Sequence, residues 1–236
     1  MEKSKFGLTN NQLKIIAMVS MLIDHLGVAG LFPNDDWMRI VGRLALPIFA
    51  YMIAEGCRYT RNRPKHLVLI AALAVGCQLV YWIAMESLYQ SILVTFTLSI
   101  VVIYSVDGIL QHKSVWRVLA SLFGLALVVL LAVVLPEKLA TQGYEIDYDI
   151  WGVLMPVVVY YAKWKPLKLL ALAGMIVVTA FTLGSIQWYA LFALPLLLLY
   201  NGTRGKWKLK YMFYIFYPTH LVLIYGLQLL QASGKL

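Results

Sequence analysis

The chain has 236 residues, of which 61 % are apolar and only 13 % are charged, and its mean hydropathy is +0.77. Soluble domains are about 45–50 % apolar and about 25 % charged, so this composition excludes a soluble globular fold and a disordered chain. The 20 Lys and Arg residues exceed the 11 Asp and Glu residues by nine, which in a soluble protein would suggest a nucleic-acid binder. In so apolar a chain we expect a lipid bilayer as the partner and no nucleic acid.

Nine segments approach the roughly 20 apolar residues with which a helix crosses a hydrocarbon core. We therefore predict an all-α, polytopic membrane helix bundle that forms one domain over residues 1–236. Because Asp24 and His25 interrupt the first segment, we interpret it as an uncleaved span rather than a signal peptide. The predicted spans are 11–32, 38–57, 66–85, 90–107, 115–135, 149–162, 167–183, 186–200 and 211–231.

The charges between the spans predict the orientation. If the N-terminus is cytoplasmic, most basic residues fall in cytoplasmic segments and most acidic loop residues fall outside, which is the positive-inside pattern. This partition predicts an N-inside, C-outside protein with an odd number of spans. The basic residues assigned to the cytoplasmic side are Lys3, Lys5, Lys14, Arg58, Arg61, Arg63, Lys65, Lys113, Arg117, Lys163, Lys165, Lys168, Arg204, Lys206, Lys208 and Lys210.

Ionisable residues inside the predicted spans are few and concentrated. A charge at the bilayer centre costs about 2.5–3.5 kcal/mol even on lenient scales, so such residues face the bundle interior and carry function. Residues 24 and 25 lie about 100° apart on a helix, so we expect Asp24 to pair with Arg43 or Arg39 while His25 faces a cavity. Paired structural charges and a hydrogen-bonded histidine are the alternative. The concentrated residues are Asp24, His25, Arg39, Arg43, Glu55 and His220.

No metal site is predicted. His25 and His220 have no third ligand at metal-binding spacing, and no HExxH motif occurs. Cys57 and Cys77 form no disulfide framework, so we interpret them as apolar packing residues. The loop histidines, His66 and His112, are expected to be solvated.

Two basic clusters, 58–65 and 203–210, lie on the predicted cytoplasmic side. They are either topology signals alone or a docking surface for a polyanionic, nucleotide-bearing cofactor, whose phosphates arginine forks would bind. On the predicted outer side, the acidic segment 144–149 leads into Trp151. This segment is either a solvated loop or a binding surface for a cationic or amine-bearing acceptor.

Several motifs point to a family. Residues 13–18 running into 22–27, with Asp24-His25-Leu26-Gly27, and then 42–51 followed by Glu55-Gly56, resemble the TraX family, named for the conjugative-pilus pilin N-acetylase. Tyr200-Asn201-Gly202 and the stretch 216–221 resemble the closing signature of that family. The resemblance spans nearly the whole chain.

The resemblance implies a multi-pass acyltransferase of a bacterial cytoplasmic membrane that takes acetyl groups from cytosolic acetyl-CoA. The family is more distantly similar to the integral-membrane O-acyltransferases and to lysosomal heparan glucosaminide N-acetyltransferase. In that wider group a histidine of an N-terminal span is the proposed catalytic residue, and His25 and Arg43 occupy the matching places. The acceptor, such as a pilin-like peptide or a glycan, does not follow from the resemblance.

These observations assign expected roles. His25 acts as general base or as a nucleophile that carries the acetyl group, Asp24 orients it or balances charge, and Arg43 stabilises the oxyanion. His220, with Tyr217 one turn earlier, forms the second polar wall of the cavity, where it holds the pantetheine arm or shares the proton transfer. The expected acetyl-CoA contacts are Arg39, Arg58, Arg61 and Tyr217, and the expected acceptor contacts are Asp147, Asp149, Trp151 and Glu55.

Two other functions remain open. A small-solute transporter or flippase would use Asp24, His25, Arg43, Glu55 and His220 as a proton or anion relay, and an inverted repeat would favour it, but none is visible. A non-catalytic assembly factor for a secreted filament or glycan would not need the ionisable groups inside the spans.

Overall fold

The computed structural model describes residues 6–32, 35–111, 114–206 and 210–233. Within these residues the chain is all-α, as predicted, with two isolated β-bridges and no β-strand. A π-helical turn covers Leu130–Val134, and 3-10 helices cover Ala140–Gln142 and Ser185–Phe192. The α-helices are α1 (Asn10–Val28), α2 (Asp36–Gly42), α3 (Ala45–Tyr59), α4 (Arg63–Met85), α5 (Ile92–Gln111), α6 (Val115–Val129), α7 (Leu135–Leu139), α8 (Asp149–Tyr161), α9 (Lys165–Thr182), α10 (Ala193–Leu198) and α11 (Lys210–Ala232).

Among the described residues, five helical stretches are, by length and composition, long and apolar enough to cross a membrane. Large apolar side chains stand exposed along two of them, for example Trp82 on α4 and Trp116 and Phe123 on α6, which suits surfaces facing lipid. The nine spans and the orientation of the termini stay predictions. The five stretches are Asp36–Tyr59, Arg63–Ile83, Ile92–Gln111, Val115–Gln142 and Lys165–Thr182.

The second predicted span is interrupted. It is divided into α2 and α3 by a turn at Arg43 and Leu44, whose backbone N–H groups donate to carbonyls three residues earlier, at 3.2 and 3.3 Å. Pro47 explains the break, because it has no N–H to offer the Arg43 carbonyl and its ring would clash with that carbonyl in a continuous helix. The break leaves Arg43 at the end of α2.

The helices form two compact units. The first unit comprises Met1–Met52 and Leu169–Leu236, and in it α1 packs against α2 and α11. The segment 199–204 pairs with the start of α1 through backbone hydrogen bonds, including Leu8 N–H to the Leu199 carbonyl at 2.8 Å and Asn201 N–H to the Leu8 carbonyl at 2.9 Å. The Tyr200-Asn201-Gly202 motif therefore anchors the N-terminal end of the helix that carries Asp24 and His25.

The second unit comprises Ile53–Lys168. In it α5 packs against α4, α6 and α8. An apolar cluster of buried side chains holds α5, the α6 to α7 region and α8 together. Its members are Leu98, Val128, Ala132, Tyr144, Ile146 and Val153.

Candidate functional site

Asp24 is the centre of a charged cluster in the first unit. One carboxylate oxygen, Oδ1, accepts from Arg43 Nη2 at 2.6 Å and lies 3.0 Å from Arg39 Nη1. Arg43 Nε also donates to the Arg39 carbonyl at 3.1 Å, which fixes its side chain across the last turn of α2. The expected pairing of Asp24 with Arg43 or Arg39 is confirmed, and the carboxylate in fact serves both arginines.

Gly42 makes this cluster sterically feasible. The Cα of Gly42 faces the Asp24 side chain so closely that a Cβ at this position would overlap Asp24 Cβ, Cγ and Oδ1. Residue 42, the last of α2, therefore has to be glycine for the Asp24 carboxylate to reach Arg39 and Arg43.

His25 turns away from this cluster and meets His220. His25 Nδ1 lies 2.8 Å from His220 Nε2, a hydrogen-bond distance, and the two rings are 18° from parallel. His25 is half-buried, whereas His220 is only 3 % exposed. A histidine from the first helix and one from the last helix thus form one imidazole pair.

The His220 ring is held by its own helix. Its Nδ1 lies 3.0 Å from the Phe216 carbonyl, one turn earlier. The Phe216 ring stacks on it with centroids 4.9 Å apart, and the Tyr217 ring meets it edge-on at 5.2 Å. The structure places Tyr217 beside His220, as the sequence predicts, and leaves the imidazole little freedom to rotate.

Glu55 belongs to the second unit, where it pairs with a lysine that the sequence assigns to a cytoplasmic connection. Lys168 Nζ lies 2.5 Å from Glu55 Oε1, and both residues are buried. Lys168 lies in the first turn of α9 and is buried rather than exposed, while its cytoplasmic side stays a prediction. Glu55 is accordingly neutralised by a partner within the protein.

The basic cluster 58–65, which runs from the end of α3 into α4, is largely engaged by its own unit. Arg58 donates through Nη2 to the Tyr160 carbonyl and, at 3.2 Å, to the Ala162 carbonyl, so it caps the C-terminal end of α8. Its guanidinium also lies over the Tyr160 ring, 5.5 Å from the centroid. Arg61 is exposed.

Asp107 is an ionisable residue that the sequence analysis does not single out. It is 3 % exposed and accepts from Arg63 at 2.6 Å, from Tyr160 at 2.7 Å and from Tyr161 at 3.1 Å. Asp107 is the last residue of the fourth predicted span, so from the sequence its side chain is expected to be solvated. The sequence offers one signal for this contact: an acid at the end of one predicted span and a cluster of arginines at the end of another, both on the predicted cytoplasmic side.

The residues of the acidic segment 144–149 that are expected to contact the acetyl acceptor lie in the second unit. The Tyr89 hydroxyl donates to Asp147 Oδ1 at 2.7 Å, and burial together with Asp147 raises the pKa of Tyr89. Asp149 is exposed, Trp151 is half-buried, and Tyr148 and Asp149 have φ values of 62° and 48°. Two consecutive left-handed residues give this segment a sharp turn that costs backbone strain.

Metal ligation finds no support in the described residues, since no three His, Cys, Asp or Glu side chains there come together. His66 Nδ1 lies 2.8 Å from the Tyr104 hydroxyl, so it is bonded inside the second unit rather than solvated. His112 lies outside the described residues. The absence of a metal cofactor stays a prediction.

Comparison with known proteins identifies the family. The family profile described as TraX protein matches residues 9–228. The chain belongs to the TraX family. It is 28 % identical over 234 residues to the probable fimbrial assembly protein FimC, serogroup H1, of Dichelobacter nodosus, a match that covers 90 % of this chain and 93 % of that protein.

A second relative is matched over a shorter stretch. The chain is 39 % identical over 64 residues to an uncharacterised protein of Rickettsia prowazekii (strain Madrid E), which covers 26 % of this chain and 24 % of that protein. No solved structure matches the chain. TraX membership together with the five long apolar helices makes this a bacterial membrane protein.

Proposed function

We propose that this TraX protein is a membrane acyltransferase that moves an acetyl group from cytosolic acetyl-CoA to an amine or hydroxyl of a pilus-related acceptor. The observation that carries the proposal is the His25–His220 pair at 2.8 Å, next in sequence to a carboxylate that holds two arginines. The name of the Dichelobacter relative, a probable fimbrial assembly protein, supports a pilin-like acceptor. A glycan acceptor would use the same chemistry.

The proposed reaction needs a base and a stabiliser of negative charge. The acceptor nitrogen or oxygen attacks the thioester carbonyl carbon with its lone pair while His25 removes its proton, and the C–S bond then breaks. The CoA sulfur leaves with the proton that His25 returns. General acid–base assistance of this kind contributes roughly 10²–10⁴-fold to the rate. An acyl-histidine route, in which His25 itself carries the acetyl group, remains the alternative.

The charged cluster supplies positive charge next to this chemistry. Two arginines serve one carboxylate, so Asp24, Arg39 and Arg43 together carry one excess positive charge. Positive charge held in an apolar environment stabilises a developing oxyanion better than it would in water. Arg39 is one-third exposed and Arg43 is 5 % exposed, so we assign contact with the acyl group to Arg39 and positioning of Asp24 to Arg43.

The acetyl-CoA phosphates are assigned to the basic cluster 58–65. Arg58 already bonds two backbone carbonyls, whereas the Arg61 side chain is exposed, so the assignment rests chiefly on Arg61. Charge reversal by Arg61→Glu is expected to weaken CoA binding, while Arg117→Glu, at another predicted cytoplasmic position, serves as the matched control. If the two variants bind CoA with equal affinity, the cluster does not bind the CoA phosphates and acts only as a topology signal.

The acceptor is assigned to the outer acidic segment. Asp149 is exposed and can bind an ammonium group, while Trp151 offers a ring to the same ligand. Asp147 and Glu55 already have partners and would shape this region rather than bind the acceptor. Asp149→Asn is expected to raise KM for an amine acceptor and to leave CoA affinity unchanged.

One experiment tests the reaction. Purified protein in lipid nanodiscs is incubated with radiolabelled acetyl-CoA and a panel of peptide and glycan acceptors, and released CoA and labelled acceptor are measured. His25→Ala is expected to abolish release, while His66→Ala, a histidine of the second unit, retains it. Release that persists in His25→Ala refutes the role of His25. No release from the wild type with any acceptor would favour the transporter or the assembly factor.

A further inference from the structure

Three groups of the first unit form an unbroken hydrogen-bonded chain. The Phe216 carbonyl lies 3.0 Å from His220 Nδ1, and His220 Nε2 lies 2.8 Å from His25 Nδ1. Within the part of the protein that the structure describes, every ring nitrogen of the two histidines except His25 Nε2 therefore has a hydrogen-bonding neighbour. The order of the groups determines where the protons sit.

The proton positions follow from the carbonyl end. A carbonyl oxygen only accepts hydrogen bonds, so His220 Nδ1 must carry a proton and donate it to Phe216. In a neutral imidazole the other nitrogen then has the lone pair, so His220 Nε2 accepts and His25 Nδ1 must be the donor. His25 Nε2 is consequently left with its lone pair.

We infer that His220 is a positioning residue, which uses the Phe216 carbonyl as a fixed reference to hold His25 in the tautomer whose reactive atom is Nε2. This inference rests on the proposed function for its catalytic meaning, but the tautomer itself does not depend on it. Hydrogen bonding at one ring nitrogen of a histidine determines the state of the other nitrogen. His220 thus fills the role that a carboxylate has in many catalytic triads.

Asp24 does not compete for this role. It precedes His25 in the sequence, but its Oδ1 is directed to Arg39 and Arg43. Neighbouring residues on a helix point about 100° apart, so in one turn of α1 Asp24 binds the arginines while His25 contacts His220. The orientation of His25 therefore comes from α11 rather than from the adjacent carboxylate.

The chain also gives the transferred proton a place to go. When His25 Nε2 takes the proton from the acceptor, His25 Nδ1 can pass its own proton to His220 Nε2. The positive charge then lies on His220, whose Nδ1–H points at the Phe216 carbonyl dipole. When the C–S bond breaks, the sulfur takes the proton from His25 Nε2, and His220 returns its proton to His25 Nδ1. Both rings end in their starting tautomers.

The tautomer can be measured without activity. Full-length protein with ¹⁵N-labelled histidine is studied in lipid nanodiscs by NMR, and His25→Gln and His220→Gln identify the two ring systems. The expected spectrum has protonated Nδ1 and unprotonated Nε2 on both rings. A His25 ring protonated at Nε2 in the wild type would overturn the inference, and no measurement of activity is needed.

Two variants test whether His220 imposes the tautomer. His220→Leu removes the acceptor, so His25 is expected to populate both tautomers, and kcat falls by about 10²–10⁴-fold with KM for acetyl-CoA unchanged. His220→Gln places an acceptor oxygen near the position of Nε2 and is expected to restore much of kcat and the single tautomer. His66→Leu is the control for exchanging a histidine for leucine elsewhere.

The outcomes separate the two proposals. If His25 keeps one tautomer in His220→Leu, or if KM rises while kcat is unchanged, His220 does not position His25 and the inference fails. If CoA release does not depend on His25, the proposed catalytic role of His25 fails, whereas the tautomer measured in the wild type still decides the hydrogen-bonded chain.

Discussion

Replacement of Gly42 by alanine is expected to displace Asp24 and so to impair both stability and the proposed acyl transfer. The added methyl group would overlap Asp24 Cβ, Cγ and Oδ1, whereas ordinary van der Waals contact begins at 3.4 Å. Asp24 lies on α1 and Gly42 closes α2, so the clash forces apart two helices that pack closely.

The size of the effect follows from the distances. Relief of the overlap requires the Asp24 side chain to withdraw by about 1 Å. Oδ1 is now 2.6 Å from Arg43 Nη2 and 3.0 Å from Arg39 Nη1, so this shift moves both contacts to or beyond hydrogen-bond range. Overpacking costs about 1–3 kcal/mol, and a 1 Å misplacement near the chemistry costs about 10²-fold in rate.

Thermal unfolding in nanodiscs and CoA release measure the two effects. Gly226→Ala is the matched control, because Gly226 lies in α11 of the same unit and a Cβ there meets nothing within 4 Å. Alanine is favoured over glycine in a helix by about 0.8–1.0 kcal/mol, so the control should keep or raise Tm. A Gly42→Ala protein with wild-type Tm and wild-type CoA release would refute the steric reasoning.

Three further predictions concern the second unit. Lys168→Met leaves Glu55 buried without its lysine and should lower the free energy of unfolding by about 3–5 kcal/mol. Adding Glu55→Gln to this variant should restore most of the lost stability. If the single and the double variant lose equal stability, the pairing is contradicted. Arg58→Gln removes the donor to the carbonyls at the end of α8 and should lower Tm, whereas an unchanged Tm would leave that arginine free for ligand. Burial and Asp147 raise the pKa of Tyr89 above 10.0, so the folded state keeps a proton that the unfolded chain releases. Stability should therefore fall as pH rises above about 10. In Tyr89→Phe the dependence of Tm on pH should be flatter in this range, and an equally steep dependence would contradict the reasoning.

Much of the candidate site follows from local patterns. A charged residue inside an apolar segment is visible in the sequence and needs a partner, so Asp24 and the arginines four residues apart on the next segment predict their own pairing. The same logic identifies His25 and His220 as interior residues. It does not find Asp107, which lies where a span ends and its charge looks solvated.

Helix boundaries depend on local chemistry that composition alone does not resolve. The apolar run 38–57 predicts one continuous helix, but Pro47 and the close packing of Gly42 on Asp24 end α2 at Gly42. The interruption places Arg43 at a helix end, where its side chain reaches back over the last turn to the Arg39 carbonyl.

The sequence by itself determines the membrane class, the TraX family and which residues are too polar to face lipid, because each depends only on composition or on motifs read along the chain. Only the tertiary structure decides which of these residues meet. His25 and His220 are 195 residues apart, and Lys168 finds Glu55 across 113 residues. Helical periodicity fixes the face of a side chain within its own helix, whereas the packing of distant helices fixes which face lies opposite.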